Sequence, residues 1–135
     1  MATFNKFNAW AENFVEVANV GTDQFVIALT NTLPTAANSV LADITQITPY
    51  TNLSSRNLTT ASSSQTGGTY TLAFNDLVLT ASGAVPTFRY VVIYDDTVTS
   101  PADPLVGWYD YGSSITMANG ETFTIDFTGA ALTLS

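Results

Sequence analysis

The feature that most limits the fold is a series of short runs, mainly in the second half of the chain, in which apolar and polar residues alternate between turn signals. In a strand, alternate side chains point to the same face, so each run offers one apolar face to a core. The run "YTLAFNDLVLTA" shows this pattern on both sides of Asn75–Asp76. A two-residue turn there would pair Phe74 with Leu77 and Leu72 with Leu79, which predicts a β-hairpin.

A second hairpin is predicted around "MANGETF". A two-residue loop at this point would place apolar side chains opposite polar ones. A three-residue loop ending at Gly120, with the glycine in the left-handed conformation, instead places Ile115 opposite Phe123 and Tyr111 opposite Phe127. We prefer the three-residue loop because it gathers the larger apolar groups on one face.

Three other segments are predicted to be strands. "DQFVIALTN" (23–31) is one, and "ALTLS" forms a short final strand. "FRYVVIYDD" (88–96) is apolar on both faces, with Phe88, Tyr90, Val92 and Tyr94 on one of them. It is therefore either a central strand covered on two sides or a strand at a subunit contact.

The remaining segments between these runs favour loops. Residues 50–68 are rich in Thr, Ser and Asn and indicate strand edges and loops, with "SSSQTGG" as a flexible tip; a short helix is expected near 39–44. About seven or eight strands separated by turns predict an all-β fold, namely a two-sheet β-sandwich of jelly-roll type. With no repeat and no linker, residues 1–135 are expected to form one domain.

The amino-terminal residues 3–19 predict an amphipathic helix. Apolar residues recur there at spacings of three or four and form one stripe: Phe4, Phe7, Trp10, Phe14 and Ala18. Thr3 is a candidate cap, and Gly21 follows where a helix would end. The helix either docks on its own sheet or serves as an arm that lays its aromatic stripe on a neighbouring subunit.

Composition excludes several classes of function. The chain has eleven acidic residues, three basic residues (Lys6, Arg56 and Arg89) and a net charge of −8, so we expect no direct binding to nucleic acid. Cysteine and histidine are absent, which rules out disulfides, thiolate or imidazole metal sites, and Ser-His-Asp or Cys-His catalysis. The amino terminus lacks the apolar core of a secretory signal and no run is long enough for a membrane span, so synthesis in a cytosol and no membrane association are expected.

Acidic residues in the second half could in principle carry chemistry. Asp95, Asp96, Asp103 and Asp110 include candidates for the two carboxyls of a glycoside hydrolase, and the loop with Asp95, Asp96 and Asp103 for Ca²⁺ ligands. The segment "YDDTVTSPADP" also has the features of a strand end followed by a solvated loop, where Asp is common. We therefore predict no enzyme activity, no cofactor and no metal site, and leave open a cation near Asp95 and Asp96.

The stretch "LVGWYDYGSS" contains the densest aromatic group of the chain. Alternation places Leu105, Gly107, Tyr109 and Tyr111 on one face, so Tyr109 is expected in the core, and Val106, Trp108 and Asp110 on the other. Trp108 would then contact either a partner chain or a sugar ring, and the interface is the interpretation we favour.

Three blocks of the sequence resemble the small, cysteine-free structural proteins encoded among the virion genes of tailed bacteriophages. The blocks are "TFNKFNAW" with "VIALTNTLPTAANSVLADITQI", then "LTASGAVPTFRYVVIYDDT", then "LVGWYDYGSSITMANGETFTIDF". Some members of that group are capsid cement, or decoration, proteins with a jelly-roll or related sandwich fold. The resemblance implies a protein made in the bacterial host cytoplasm that binds the capsid exterior of the virion and cements neighbouring major capsid protein subunits. A phage tail or fibre component, or a carbohydrate-binding β-sandwich module, is the alternative.

On that interpretation the protein is a homo-dimer or homo-trimer. Its contacts with the capsid or with its own copies are expected at six residues, namely Phe4, Phe7, Trp10, Phe14, Arg89 and Trp108. Arg89 is expected to pair with an acidic residue across a strand or a subunit seam.

Overall fold

The computed structural model describes residues 2–127 and 132–134 and shows a chain made mostly of antiparallel strands with one short helix. The elements are β1 (Thr3–Lys6), α1 (Trp10–Glu16), β2 (Phe25–Thr30), β3 (Thr60–Thr66), β4 (Thr69–Phe74), β5 (Leu77–Thr80), β6 (Val85–Asp95), β7 (Leu105–Met117), β8 (Thr122–Ile125) and β9 (Leu132–Leu134). The short helix expected near 39–44 is a single 3-10 turn, Leu41–Asp43. The all-β, sandwich-like fold is confirmed, whereas a jelly-roll order of connections stays a prediction.

The largest sheet has four strands in the order β1-β7-β6-β2, all antiparallel. β6 lies inside it, paired with β2 on one side and β7 on the other, and its last six residues are all buried. The interpretation of "FRYVVIYDD" as a central strand covered on two sides is therefore confirmed. This explains why the segment is apolar on both faces instead of alternating.

Two hydrophobic clusters lie on opposite faces of this sheet. The larger contains Val91 and Ile93 of β6 and joins the sheet to the ladders β3-β4-β9 and β5-β8, which contribute Leu72, Leu79 and Ile125. The smaller contains side chains from β2, β6 and β7, together with Phe7 from just after β1 and Ile44 from the connection between β2 and β3: Phe7, Val26, Ala28, Ile44, Tyr90, Val92, Tyr94, Leu105 and Trp108. The four-stranded sheet is thus the shared middle layer of the molecule.

Register shifts alter two of the predicted faces. A shift between Phe88 and Tyr90 places Phe88 in the larger cluster, although strict alternation assigned it to the face of Tyr90. A second shift, where Ile93 opposes Gly107 but Tyr94 opposes Leu105, changes which residues of β7 face each cluster. Leu105 lies in the smaller cluster and Val106 in the larger, the reverse of the prediction, because an irregularity in the ladder changes which side the following residues face.

The predicted hairpin around Asn75–Asp76 is wrong. β4 pairs with β3 and β9, and β5 pairs with β8, so Leu77 opposes Ile125 instead of Phe74. Asn75 donates its N–H to the Thr59 carbonyl, and the Asp76 carboxyl accepts the N–H of Phe127. These bonds hold the connection open, so that the chain passes from one ladder to the next instead of turning back.

The ladder predicted between the strands around "MANGETF" is also wrong, although its apolar residues do meet. β7 pairs with β1 and β6 instead of β8. The ring centroids of Tyr111 and Phe123 are 5.0 Å apart and edge-to-face, so their contact runs between layers of the sandwich. Gly120 has φ +85°, as expected for the left-handed position of the turn.

The amino-terminal helix is much shorter than predicted. Residues 3–6 form β1, at the edge of the four-stranded sheet, with Phe4 opposite Tyr109 and Asn5 opposite Trp108. The helix begins only at Trp10 and ends at Glu16. Hydrogen bonding to the open edge of β7 replaces helical bonding for these first residues, because a sheet edge offers partners that an isolated helix turn lacks.

The segment "SSSQTGG" is not a loose tip. Residues 60–66 form β3, which joins β4 through the two-residue turn Gly67–Gly68. Both glycines have positive φ, at +58° and +87°, a pair of values that suits a type I′ hairpin turn. The prediction of "DQFVIALTN" as a strand is confirmed by β2, and that of "ALTLS" holds for the described residues 132–134.

Candidate functional site

Three of the six predicted contact residues are buried within the chain, which corrects their assignment to an interface. Phe7 is 0% exposed, Trp10 is 1% exposed and Trp108 is 8% exposed. The rings of Phe7 and Trp108 pack at a centroid distance of 4.7 Å in the smaller cluster. Because these surfaces are already removed from water by the chain itself, they are not available to a second protein.

The other two predicted aromatic contacts, Phe4 and Phe14, are half-buried. Phe4 packs against Tyr109 at a centroid distance of 5.3 Å, and Phe14 against Tyr70 at 6.4 Å. Most of each ring is used inside the chain, so the aromatic stripe serves this molecule's own core. Only the remaining ring edges are open to another chain.

Arg89 pairs with Asp110 on the neighbouring strand, so the predicted pairing across a strand is confirmed. Its Nε donates to Asp110 Oδ1 at 2.9 Å and its Nη2 donates to Oδ2 at 3.2 Å. The guanidinium, together with the N–H of Gly112, lowers the pKa of the Asp110 carboxyl. The pair is about one-third exposed and reachable from solvent, but both charges are already matched.

The aromatic residues do not form an open platform. All sixteen lie within the described residues, and each is buried or half-buried. Tyr109 is buried as predicted, and the half-buried Tyr111 borders a cleft of about 220 Å³ with Ala2, Thr124 and Asp126. Burial raises the pKa of Tyr111 to about 12, with further contributions from Tyr109 and Asp126. A sugar ring would need an exposed aromatic face, so Trp108 does not provide the stacking surface considered above.

The acidic residues of the second half differ in burial and in their partners. Asp96 is exposed, Asp103 is half-buried, and Asp95 at the end of β6 is completely buried. The described residues contain no group of three or more acidic side chains placed to hold a metal ion. Asp110 is engaged with Arg89.

Asp95 is nevertheless an unusual group, which sequence analysis treated only as one of several loop acids. Its Oδ1 accepts the N–H of Thr97 at 3.1 Å, while its Oδ2 is buried without a hydrogen-bond donor among the described residues. Its charged neighbour is a second carboxyl, Asp23, in the turn before β2. Burial raises the pKa of Asp95 to about 7, and the neighbouring Asp23 carboxyl adds to this shift.

The second feature that sequence analysis missed is the open edge of β3. Among the described residues, the sheet order β3-β4-β9 leaves one side of β3 unpaired, and six of the seven residues of β3 are exposed. A two-residue turn makes Thr66 and Thr69 a hydrogen-bonded pair, so Ser63 and Gln65 direct their backbone N–H and C=O groups away from β4. The sequence did contain an indication of this open edge, because residues 57–75, which include β3, have no charged side chain.

Comparison with known proteins adds no identification. The sequence matches no family model, and no curated protein or solved structure shows a significant similarity to it. Within the described residues, no helix has the length and apolar character needed to span a membrane.

Proposed function

We propose that this protein is a structural component of a tailed-phage virion that binds the outside of the capsid and cements neighbouring major capsid protein subunits. The binding unit is a homo-dimer or homo-trimer, and the contacts it makes across subunit seams oppose the outward pressure of packaged DNA. The resemblance of the three sequence blocks to virion proteins supports this proposal. The structural observation that carries it is the open, uncharged edge of β3.

An open strand edge is a docking element because its unpaired N–H and C=O groups can add a strand from another chain. Natural proteins usually block such edges with lysine, proline or a bulge. β3 contains neither charge nor proline, and its one irregularity, between Thr60 and Ser62, leaves the stretch from Ser62 to Thr66 regular. A strand of the capsid, or of a second copy, is the occupant that this geometry accepts.

Charge favours the same surface. The chain carries a net charge of −8, so two copies, or one copy and an acidic capsid surface, repel each other over most approaches. The β3–β4 hairpin lies inside the uncharged stretch 57–75 and avoids that repulsion. Each backbone hydrogen bond contributes only about 1 kcal/mol net, so cementing depends on many copies acting together on one shell.

In this proposal the protein carries out no reaction and needs no cofactor, and its aromatic residues act as core. The alternative, a tail or fibre component or a sugar-binding module, is separated from it by copy number. Mass spectrometry of purified virions should find hundreds of copies for a cement protein and tens for a fibre. Virions lacking the protein should release DNA at a lower temperature than complete virions, and unchanged release would contradict cementing.

The β3 edge can be tested by placing lysines on its exposed outer face. We expect the double variant Ser62→Lys/Ser64→Lys to lose at least about 10-fold in affinity for capsids lacking the protein, because charged side chains block strand addition. Co-sedimentation with such capsids measures the binding. Thermal unfolding should confirm that the variant is folded.

The matched control is Ser82→Lys/Asn119→Lys, which changes the net charge equally at two exposed turn residues outside any strand. It should bind as the unmodified protein does. Equal losses in both variants would point to general electrostatics, and full binding by the β3 variant would remove this edge from the interface.

A further inference from the structure

The regular part of β3 is a five-residue stretch whose midpoint is Ser64. From Ser62 to Thr66 each residue opposes one residue of β4 without a shift, whereas the ladder is irregular between Thr60 and Ser62. At the other end, the Gly67–Gly68 turn closes the hairpin. A strand that adds to this edge therefore has these five residues to pair with, and they extend equally to both sides of Ser64.

The two residues that direct their backbone N–H and C=O groups away from β4, Ser63 and Gln65, lie one position on either side of this midpoint. Their side chains are held within the hairpin. Ser63 Oγ and the Tyr70 hydroxyl are hydrogen-bonded at 2.7 Å, and Gln65 Oε1 accepts the N–H of Gly68 at 3.1 Å. The backbone groups at the edge therefore stay accessible to a partner strand.

This edge is complementary to itself under a two-fold rotation. When two copies of β3 are placed antiparallel with Ser64 opposite Ser64, Ser63 of each copy opposes Gln65 of the other. Both residues direct their backbone groups outwards, so the two pairs together make four backbone hydrogen bonds. A pairing centred on Ser63 or on Gln65 would instead use the irregular residues before Ser62 or the glycine turn, and the match would be lost.

The side chains and the charges match in the same register. Ser62, Ser64 and Thr66 share the outer face and are exposed, and each Ser62 would oppose Thr66 of the second copy, so small hydroxyl side chains meet without crowding. Residues 57–75 carry no charge in a chain of net charge −8, so no like charges oppose each other along the paired strands. A second copy is therefore the occupant whose pairing groups fit this edge.

We propose that β3 pairs antiparallel with β3 of a second copy about a two-fold axis at Ser64, so that two β3-β4-β9 ladders become one six-stranded sheet. This inference rests on the proposed function for the use of this edge in assembly, and it specifies a homo-dimer. The capsid contact then lies elsewhere on each copy, and the dimer gains affinity by holding two capsid sites at once. Lysines on β3 would lower capsid affinity by separating the two copies.

The absence of cysteine from the chain allows a test that is specific for the register. In the proposed dimer, Ser64 faces its own copy in a non-hydrogen-bonded pair, where Cα atoms lie about 4.5 Å apart, within the range of a disulfide. On mild oxidation, Ser64→Cys should form a disulfide-linked dimer at least about 10-fold faster than the control Ser62→Cys, whose two copies lie about 13 Å apart. Non-reducing gel electrophoresis over time measures both rates.

A mixing experiment tests the same register with different variants. Ser62→Cys and Thr66→Cys should each cross-link slowly alone and quickly when mixed, because each Ser62 opposes Thr66 of the second copy. Equal rates for every variant and mixture, as random collision gives, would overturn the proposal. Slow cross-linking throughout, together with lost capsid binding by Ser62→Lys/Ser64→Lys, would assign the edge to a capsid strand and would also overturn it. Thermal unfolding should confirm that each cysteine variant is folded.

The cross-linked dimer also separates this inference from the proposed function. Co-sedimentation of oxidised Ser64→Cys with capsids lacking the protein should show binding at least as tight as that of the unmodified protein. If the dimer forms rapidly but does not bind capsids, self-pairing stands and cementing by this dimer fails. If capsids bind the protein while no cysteine variant cross-links in the expected register, cementing stands and self-pairing fails.

Discussion

At the scale of single residues, Gly107 is the position where a small side chain matters most. A Cβ there would lie 2.3 Å from Phe4 Cζ and 2.6 Å from the Asn5 carbonyl oxygen, both in the strand that pairs with it. The absence of a side chain lets β1 and the Phe4 ring cross β7 closely. The glycine in "LVGWYDYGSS" is thus required by packing instead of by a turn.

Gly107→Ala should therefore destabilise the protein by at least about 2 kcal/mol, because the backbone of β1 must shift to admit the methyl group. Urea unfolding measures the change as a lower transition midpoint. In a Phe4→Ala background the same substitution should cost less, since only the Asn5 carbonyl then remains in contact. An unchanged midpoint for Gly107→Ala would show that β1 does not approach β7 this closely.

Trp10 combines complete burial with an indole N–H that has no partner among the described residues. Its ring packs edge-to-face against Phe14 and Phe25, with centroids 5.9 and 6.2 Å away. Trp10→Phe keeps an aromatic ring and removes the unsatisfied donor, so we expect a cost below about 1.5 kcal/mol. Trp10→Ala should cost about 3–5 kcal/mol by leaving a cavity. Equal costs in urea unfolding would indicate that the indole N–H does have a partner.

At the scale of elements, the amino-terminal segment is part of the sandwich instead of an appended arm. β1 covers one edge of the four-stranded sheet, and Phe7 and Trp10 fill one cluster on each of its faces. Deleting residues 2–19 should leave a chain without a cooperative thermal transition, because it uncovers β7 and opens both clusters. Near-ultraviolet circular dichroism and calorimetry measure this outcome. Val15→Ser, at a position 73% exposed, should melt like the unmodified protein, and a cooperatively folding truncated chain would restore the arm hypothesis.

The elements also show which local patterns decide structure. β2 and β6 were predicted correctly because their apolar runs are short and rich in β-branched and aromatic residues, which favours a strand over a buried helix. The prediction of a continuous helix through Phe4, Phe7 and Trp10 was wrong. Apolar residues three apart fit one stripe of a helix, but they fit equally well a strand, a turn and the start of a helix that follow one another. Both hairpins were predicted by placing apolar side chains opposite one another, and both predictions failed. That criterion identifies residues that share a core, but it does not distinguish pairing between strands from contact between layers.

At the scale of the whole molecule, the candidate sites depend on contacts between segments far apart in the chain, and a single sequence does not reveal such contacts. Asp23 and Asp95 belong to segments separated by most of the β-region, and only the pairing of β2 with β6 brings them together. The β3 edge is open because of which ladders form, a property of topology. The pairing of Arg89 with an acidic residue was predictable from the shortage of bases, whereas its choice of Asp110 follows from the β6–β7 register.

The order of strands in the main sheet has a consequence for synthesis. β1 pairs with β7, and roughly a hundred residues are translated between these two partners. A nascent chain therefore carries Phe4, Phe7 and Trp10 uncovered until β7 has been made and the middle layer can close. Such distant pairing makes folding slow, and it exposes the newly made β1 segment to aggregation during that interval.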